Sequence, residues 1–320
     1  MREIGGYIEF EHYHGNMPHE DAIALNCGRN CLAYLFKSRG IRKLKVPYFI
    51  CNSIFDVCNR EGVEKSYYHI DSLFRPDADL TLEADEWMYL VNYYGQLSND
   101  EIKIYVEKYK RVIIDQANDY FAEPIPNIDT FYTCRKWFGI ADGAFLYTTS
   151  VLNDELEVDE SYERMEFLMG RFERTASEFY NGYNANNKYF IEQPIKQMSK
   201  LTRNLLRGID YSFVESRRQQ NFAYLNERLG GINLLELKPA KFMYPLMIGN
   251  GSELRKKLQA EKIYIPTLWP AVFEVSERES LEYRMAENIL PIPIDQRYGI
   301  EDMEYIIHKI IELGGLKNVR

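Results

Sequence analysis

The sequence predicts an α/β fold in which a mostly parallel sheet lies between helices and a smaller α+β unit follows. Two observations carry this. From residue 28 to about 150, short β-branched or aromatic runs alternate with helical patterns, as in a parallel sheet covered on both faces. After Thr149 the pattern becomes long and helical, and strand-like runs return only near the C-terminal end.

In chain order, the first helix is expected over Asn30 to Arg39 and the first strand over Lys45 to Phe49. A helix over Ser53 to Arg60 follows, then strands over Lys65 to Ile70 and Trp87 to Tyr93. Asn99 or Asp100 suits the cap of a helix reaching Lys110, because a short polar side chain accepts from the free amides of a first turn. Apolar runs then predict strands at Arg111 to Asp115, Asp129 to Tyr132 and Ala144 to Thr148. Helical periodicity covers Leu156 to Phe179 and Leu201 to Leu229, separated by the Asn/Tyr-rich stretch Tyr180 to Tyr189, which reads as a loop. Strands near Lys241 to Ile248 and Tyr264 to Leu268 and helices near Ser252 to Ala260 and Glu301 to Leu313 complete the small unit. The expected division is residues 1–210 and 211–320, and without a Pro/Ser-rich linker the two should share an interface.

With 320 residues, 46% apolar and 27% charged, the chain can bury a sizeable core. Its net charge of -9 opposes nucleic acid and anionic membranes. The clusters Arg42-Lys43-Leu44-Lys45 and Arg217-Arg218 read as solvated surface charge. No run approaches the roughly 18 apolar residues of a membrane span and no signal-peptide pattern is present, so a cytoplasmic protein is expected. The five cysteines lack CxxC spacing and the five histidines include no HExxH, so neither disulfides nor a metal site is expected.

Ligands of open α/β sheets sit beyond the carboxyl ends of the strands, which singles out three segments. Gly28-Arg29-Asn30 opens a helix, and free amides there suit a phosphate, although a glycine before a helix is also an ordinary turn. Asp115 ends an apolar strand, either as a turn former or as a carboxylate partner for a cationic ring nitrogen. Lys136 lies in Thr133-Cys134-Arg135-Lys136-Trp137-Phe138. Among such neighbours it is either a packed surface residue or a nucleophilic amine that attacks carbonyls to give a Schiff base.

The order of these segments resembles the fold-type-I pyridoxal-phosphate (PLP) transferases, and more narrowly the DegT/DnrJ/EryC1/StrS sugar aminotransferases. The likeness runs from residue 22 onward. It rests on Gly28-Arg29-Asn30, Val46-Pro47, Val91-Asn92-Tyr93-Tyr94-Gly95-Gln96, Ile114-Asp115-Gln116-Ala117-Asn118, and the step from Lys136 to Asp142-Gly143. Arg217-Arg218-Gln219-Gln220-Asn221, Tyr244-Pro245, Leu268-Trp269-Pro270 and Leu290-Pro291-Ile292-Pro293 extend it.

The resemblance implies a seven-stranded large domain and PLP as cofactor. Lys136 would carry the cofactor and move the proton, and Asp115 would keep the pyridine nitrogen protonated. Ala117 would pack under the ring, with Asn118 near its phenolic oxygen. The phosphate would take the amides of Arg29 and Asn30 and the hydroxyl of Thr133. Cys51 stands where relatives often place a stacking ring, and Gly182-Tyr183-Asn184 resembles a loop that completes the partner's site in a homodimer. The implied reaction moves an amino group from glutamate to a nucleotide-linked keto sugar. The alternatives are another PLP enzyme on this scaffold, such as a dehydratase or an amino-acid-handling enzyme, against the former of which Lys136 counts, or a scaffold that binds without turnover.

Overall fold

The computed structural model describes residues 4–315. A short strand β1 (Ile23–Leu25) enters α1 (Gly28–Arg39), and β2 (Lys43–Pro47), α2 (Asn52–Glu61), β3 (Glu64–Tyr68) and β4 (Glu86–Val91) follow. Then come α3 (Asn99–Tyr109), β5 (Val112–Asp115), β6 (Asp129–Thr133) and β7 (Ala144–Tyr147). Seven strands form one sheet in the order β1-β7-β6-β5-β4-β2-β3. The five from β6 to β3 run parallel, while β7 and β1 are antiparallel to their neighbours. The central runs Met88 to Val91 and Val112 to Ile114 are buried throughout, which explains why they read as continuous rather than alternating apolar segments.

Beyond the sheet the chain forms α4 (Glu166–Glu173), α5 (Tyr180–Tyr189), α6 (Lys200–Leu206) and the long α7 (Tyr211–Leu229). It ends with β8 (Met243–Met247), α8 (Gly251–Ala260), α9 (Val272–Val275), α10 (Leu281–Asn288), β9 (Ile289–Pro293) and α11 (Ile300–Gly314). Strands β8 and β9 pair antiparallel with Pro245 opposite Pro291. Two prolines tolerate that register because at a non-hydrogen-bonded pair neither amide is needed.

Among the described residues there are two hydrophobic cores. One follows the large sheet and also takes in Val214, Phe242, Trp269, Val272 and Met285; the other lies among α7, β8, α8, β9 and α11.

Several expected elements differ. The helix after β4 is capped by Ser98, whose side chain accepts from the Glu101 amide while Glu101 reaches back, a reciprocal capping box. Residues 156–179 do not form one helix. The Asp159 amide donates to the Gln197 carbonyl and the Gln197 amide to the Glu157 carbonyl, which holds this stretch extended, so helix is confined to a short turn and α4. Tyr180 to Tyr189, expected as a loop, is α5. The span from Leu201 to Leu229 is broken at Gly208-Ile209-Asp210, where Asp210 caps α7. Tyr264 to Leu268 forms no strand because Pro266 interrupts it, and β9 pairs with β8 instead.

Candidate active site

The carboxyl ends of β4, β5 and β6 meet the start of α1. Tyr89 pairs with Ile113 and Val91 with Asp115, so Tyr89 and Asp115 share one face of the sheet. Asp115 also pairs with Phe131, which places Phe131 and Thr133 on that face. It is the face on which α1 begins: a β-carbon added to Gly28 would lie 2.7 Å from Thr133 Cγ2 and 3.4 Å from Phe131. Glycine is required here by close approach, not by a left-handed backbone.

Three donors at this junction want an acceptor. Among the described residues the backbone amides of Gly28 and Arg29 meet none, as expected of a first helical turn without a side-chain cap. Thr133 Oγ1 is buried with no hydrogen-bond partner. Orphaned donors beside a helix start form a cradle for a small anion. Arg29, Arg60 and Arg135 add positive charge: burial pushes the Cys27 thiol up, and these three guanidinium groups oppose the shift.

Part of the expected assignment changes. The Asn30 amide donates to the Cys27 carbonyl at 3.1 Å, so the free pair is Gly28 and Arg29 rather than Arg29 and Asn30. The Asn30 side chain is occupied too, donating to Asn26 and to the Pro194 carbonyl and accepting from Arg60. It ties α1 to its surroundings and faces no cradle.

Asp115 is oriented from both sides. Tyr89 donates to its Oδ2 at 2.6 Å and the Ala117 amide to its Oδ1 at 2.7 Å. The second bond is an Asx turn that bends the chain directly after β5. Burial pushes the Tyr89 hydroxyl far up, with the neighbouring carboxylate acting in the same direction, so Tyr89 remains a donor. The buried Asn118 accepts from the Tyr94 amide at 3.4 Å.

Lys136 lies in a tight turn in which Trp137 and Phe138 both donate to the Cys134 carbonyl. Trp137 and Phe138 are buried, whereas Lys136 is exposed in the single chain, its Nζ 5.7 Å from the centre of the Phe242 ring. The turn is joined to the Asp115 segment through Trp137, whose indole N–H donates to the Ala117 carbonyl at 3.0 Å. Thus Ala117 receives Asp115 on its amide and Trp137 on its carbonyl, linking the carboxylate and lysine segments by two hydrogen bonds.

The far end of the turn is anchored by Asp142, which is fully buried. It accepts from the Ser199 amide at 2.8 Å, from Ser199 Oγ at 2.7 Å and from Thr202 Oγ1. Gly143 has φ +112°, and a side chain there would also press on Thr202 and Met198. The acidic-glycine pair beyond the lysine therefore fastens its loop to α6.

Cys51 is half-buried, with Sγ 2.7 Å from Ser53 Oγ. No ring occupies its position. The other four cysteines are buried, and all five are free. Gly182-Tyr183-Asn184 lies within α5, which is bound to its own chain's lysine loop: Asn186 donates to the Ala141 carbonyl at 2.8 Å, and Arg135 donates to Asn187.

Tyr89, Trp137, Phe242 and Arg218 were not expected here. A signal for Arg218 exists: it falls on the stripe Val214, Arg218, Phe222, Leu225, Leu229 of α7, where helical spacing requires an apolar residue. It is only 1% exposed, contrary to the reading of Arg217-Arg218 as solvated charge.

No family model matches the sequence, and no curated protein matches it. Solved structures do. DesV of S. venezuelae superposes with a TM-score of 0.66 at 16% identity, covering 93% of this chain and 85% of that one. The sugar aminotransferase CalS13 of Micromonospora echinospora gives 0.64 at 16%, covering 91% and 87%. A DegT DnrJ EryC1 StrS aminotransferase of Brucella abortus gives 0.61 at 16%, covering 92% and 86%. The chain therefore has the fold of these aminotransferases, over nearly its whole described length.

Proposed function

We propose that the protein is a PLP-dependent aminotransferase that moves an amino group from glutamate to a nucleotide-linked keto sugar in amino-sugar or surface-polysaccharide biosynthesis. The observation that carries this reading is the Asp115–Ala117–Trp137 connection. It fixes a carboxylate and the base of a lysine beside a cradle holding an unpartnered hydroxyl and two free amides. A putative sugar aminotransferase of Streptococcus pneumoniae with the same fold, TM-score 0.65 at 14% identity, is known in a PMP-form.

These residues fit PLP. The Gly28 and Arg29 amides and Thr133 Oγ1 would hold its phosphate, Asp115 its ring nitrogen, and Lys136 its aldehyde carbon. Ala117 would lie under the ring and Asn118 near its phenolic oxygen, with the Cys51 thiol in place of a stacking ring. When bound, PLP supplies an electron sink for the substrate carbon. The chain's part is to keep Asp115 aimed by Tyr89 and the Ala117 amide, and to present the Lys136 amine, which accepts and returns a proton.

Lys136 is exposed in the single chain, and a homodimer in which a second copy would cover it is part of the same proposal. The division at residue 210, the cytoplasmic location and small-molecule substrates belong to the same reading. No helix among the described residues is long and apolar enough to cross a membrane. Adding PLP should produce a visible absorption band that Lys136→Ala lacks. Borohydride should fix the cofactor's mass on the peptide containing Lys136, and glutamate should convert the absorption to that of pyridoxamine phosphate. A wild-type protein that gives no band with PLP refutes the proposal.

A further inference from the structure

Arg218 is a charge without a carboxylate. It sits in the apolar stripe of α7, four residues from both Val214 and Phe222, where a methionine or leucine would pack without dehydrating an ion. No anionic side chain bonds to it among the described residues, and the nearby Asp295 is engaged by Arg297 at 2.6 and 2.8 Å. Burial lowers its guanidinium to about 10, still far above neutrality, so the charge persists.

Neutral oxygens solvate this cation. Nε donates to Gln296 Oε1 at 2.9 Å, Nη1 to the carbonyls of Lys241 at 2.9 Å and Phe242 at 3.2 Å, and Nη2 to the Trp137 carbonyl at 3.3 Å. The guanidinium carbon lies 4.4 Å from the centre of the Trp137 ring. Gln296 donates to the same Trp137 carbonyl at 2.8 Å.

These bonds converge on the two groups that set where Lys136 can reach. Trp137 is held by its carbonyl, its ring face and its indole N–H, so the residue next to the lysine has little freedom to rotate. Phe242, the ring under Nζ, is held by its carbonyl from the same guanidinium. We infer that Arg218 is a positioning residue that fixes the direction of the Lys136 side chain through Trp137 and Phe242. This rests on the proposed role of Lys136 and adds a device on α7, outside the cradle and the Asp115 segment. The planar fork reaches four acceptors at once, Gln296 Oε1 and three carbonyls, one more than the three donors of an ammonium can serve.

The test compares two ligands on the full-length protein. Pyridoxamine phosphate has the ring and phosphate of PLP but no aldehyde, so its binding does not use the lysine amine. In Arg218→Met and Arg218→Lys, affinity for pyridoxamine phosphate should stay within about twofold. Affinity for PLP should fall about tenfold or more, a fraction of what misplacing a reacting group can cost. In the cofactor-free variants, amide hydrogens of residues 135–138 should exchange faster. Leu254→Ala, a truncation in the other core, should change neither affinity nor that exchange. Should Arg218→Met not fold, Arg218→Lys and Gln296→Leu serve in its place. Parallel loss of both ligands, or a folded variant with unchanged PLP affinity and unchanged exchange at 135–138, overturns the inference. If the wild type binds neither ligand, the proposed function fails, and the exchange experiment alone still judges Arg218.

Discussion

Replacing Gly28 with alanine is the sharpest test of how the cradle is built. The new methyl would lie 2.7 Å from Thr133 Cγ2, about 1 Å inside ordinary carbon contact. Neither side yields easily, since threonine is stiff at χ1 and Thr133 is paired to Ala144 in the sheet. Overpacking of this kind costs about 1–3 kcal/mol, against a gain of ~0.4–1 kcal/mol from removing a glycine from the unfolded chain. The net expectation is a loss of about 1 kcal/mol. Thr133→Ser deletes the opposing methyl and keeps the hydroxyl, at a cost of ~0.8 kcal/mol. The double variant moves one methyl across the contact and should return close to wild type, so the two changes couple by ~1–2 kcal/mol. Urea unfolding measures this, with an unchanged denaturant slope showing that the same transition is compared. Single effects that add to within ~0.5 kcal/mol refute the close-approach account of Gly28.

Tyr89→Phe removes a buried donor to Asp115 and should cost ~1.5–3 kcal/mol, as hydrogen bonds to charged groups do; a melting temperature equal to wild type would show that the bond contributes nothing. The same variant should retain PLP more weakly on dialysis. Asp142→Asn turns an amide toward three donors and should destabilise by about 3 kcal/mol. Its first symptom should be proteolysis near the start of α6, and global unfolding with no local nicking counts against the anchor. Burial pushes the Asp119 carboxyl up to about 6, with Lys241 opposing. The folded state therefore holds that proton more tightly than the unfolded chain, and stability falls as pH rises from about 4 to about 6. Asp119→Asn should gain on wild type across that window by about 3 kcal/mol. Urea midpoints at pH 4 and pH 7 decide it, and a difference that is flat or larger in acid contradicts the burial of this group.

The sequence makes the central sheet legible because burial on both faces leaves uninterrupted apolar runs, and their polar ends mark where a ligand can sit. Asp115 and Lys136 are proposed for the site on that ground. The three-residue β1 is too short for any periodicity to appear. In α5, the run Tyr180-Asn181-Gly182-Tyr183-Asn184 has poor helix formers, and packing supplies what propensity lacks: Asn186 and Asn187 bind the lysine loop. Pattern alone also extends helices too far, as at residues 156–179, where exchange of backbone bonds with Gln197 is a long-range event that no local window contains.

The site itself divides along a similar line. Groups that would touch a ligand are local in sequence, each following its own strand, so their chemistry can be read from neighbours. Groups that aim them come from elsewhere: Tyr89 reaches Asp115 from the adjacent strand, and Arg218 and Gln296 reach Trp137 from α7 and from the segment after β9. Such contacts carry no spacing rule, but they leave a mark of another kind. A charged residue on a helix face built otherwise of Val214, Asn221, Phe222, Leu225 and Leu229 conflicts with its mostly apolar local pattern, and that conflict persists only where the buried charge has several acceptors. The pair Arg217-Arg218 reads by itself as surface charge, and the acceptors that hold Arg218, on Trp137, Lys241, Phe242 and Gln296, are long-range partners that no local window contains.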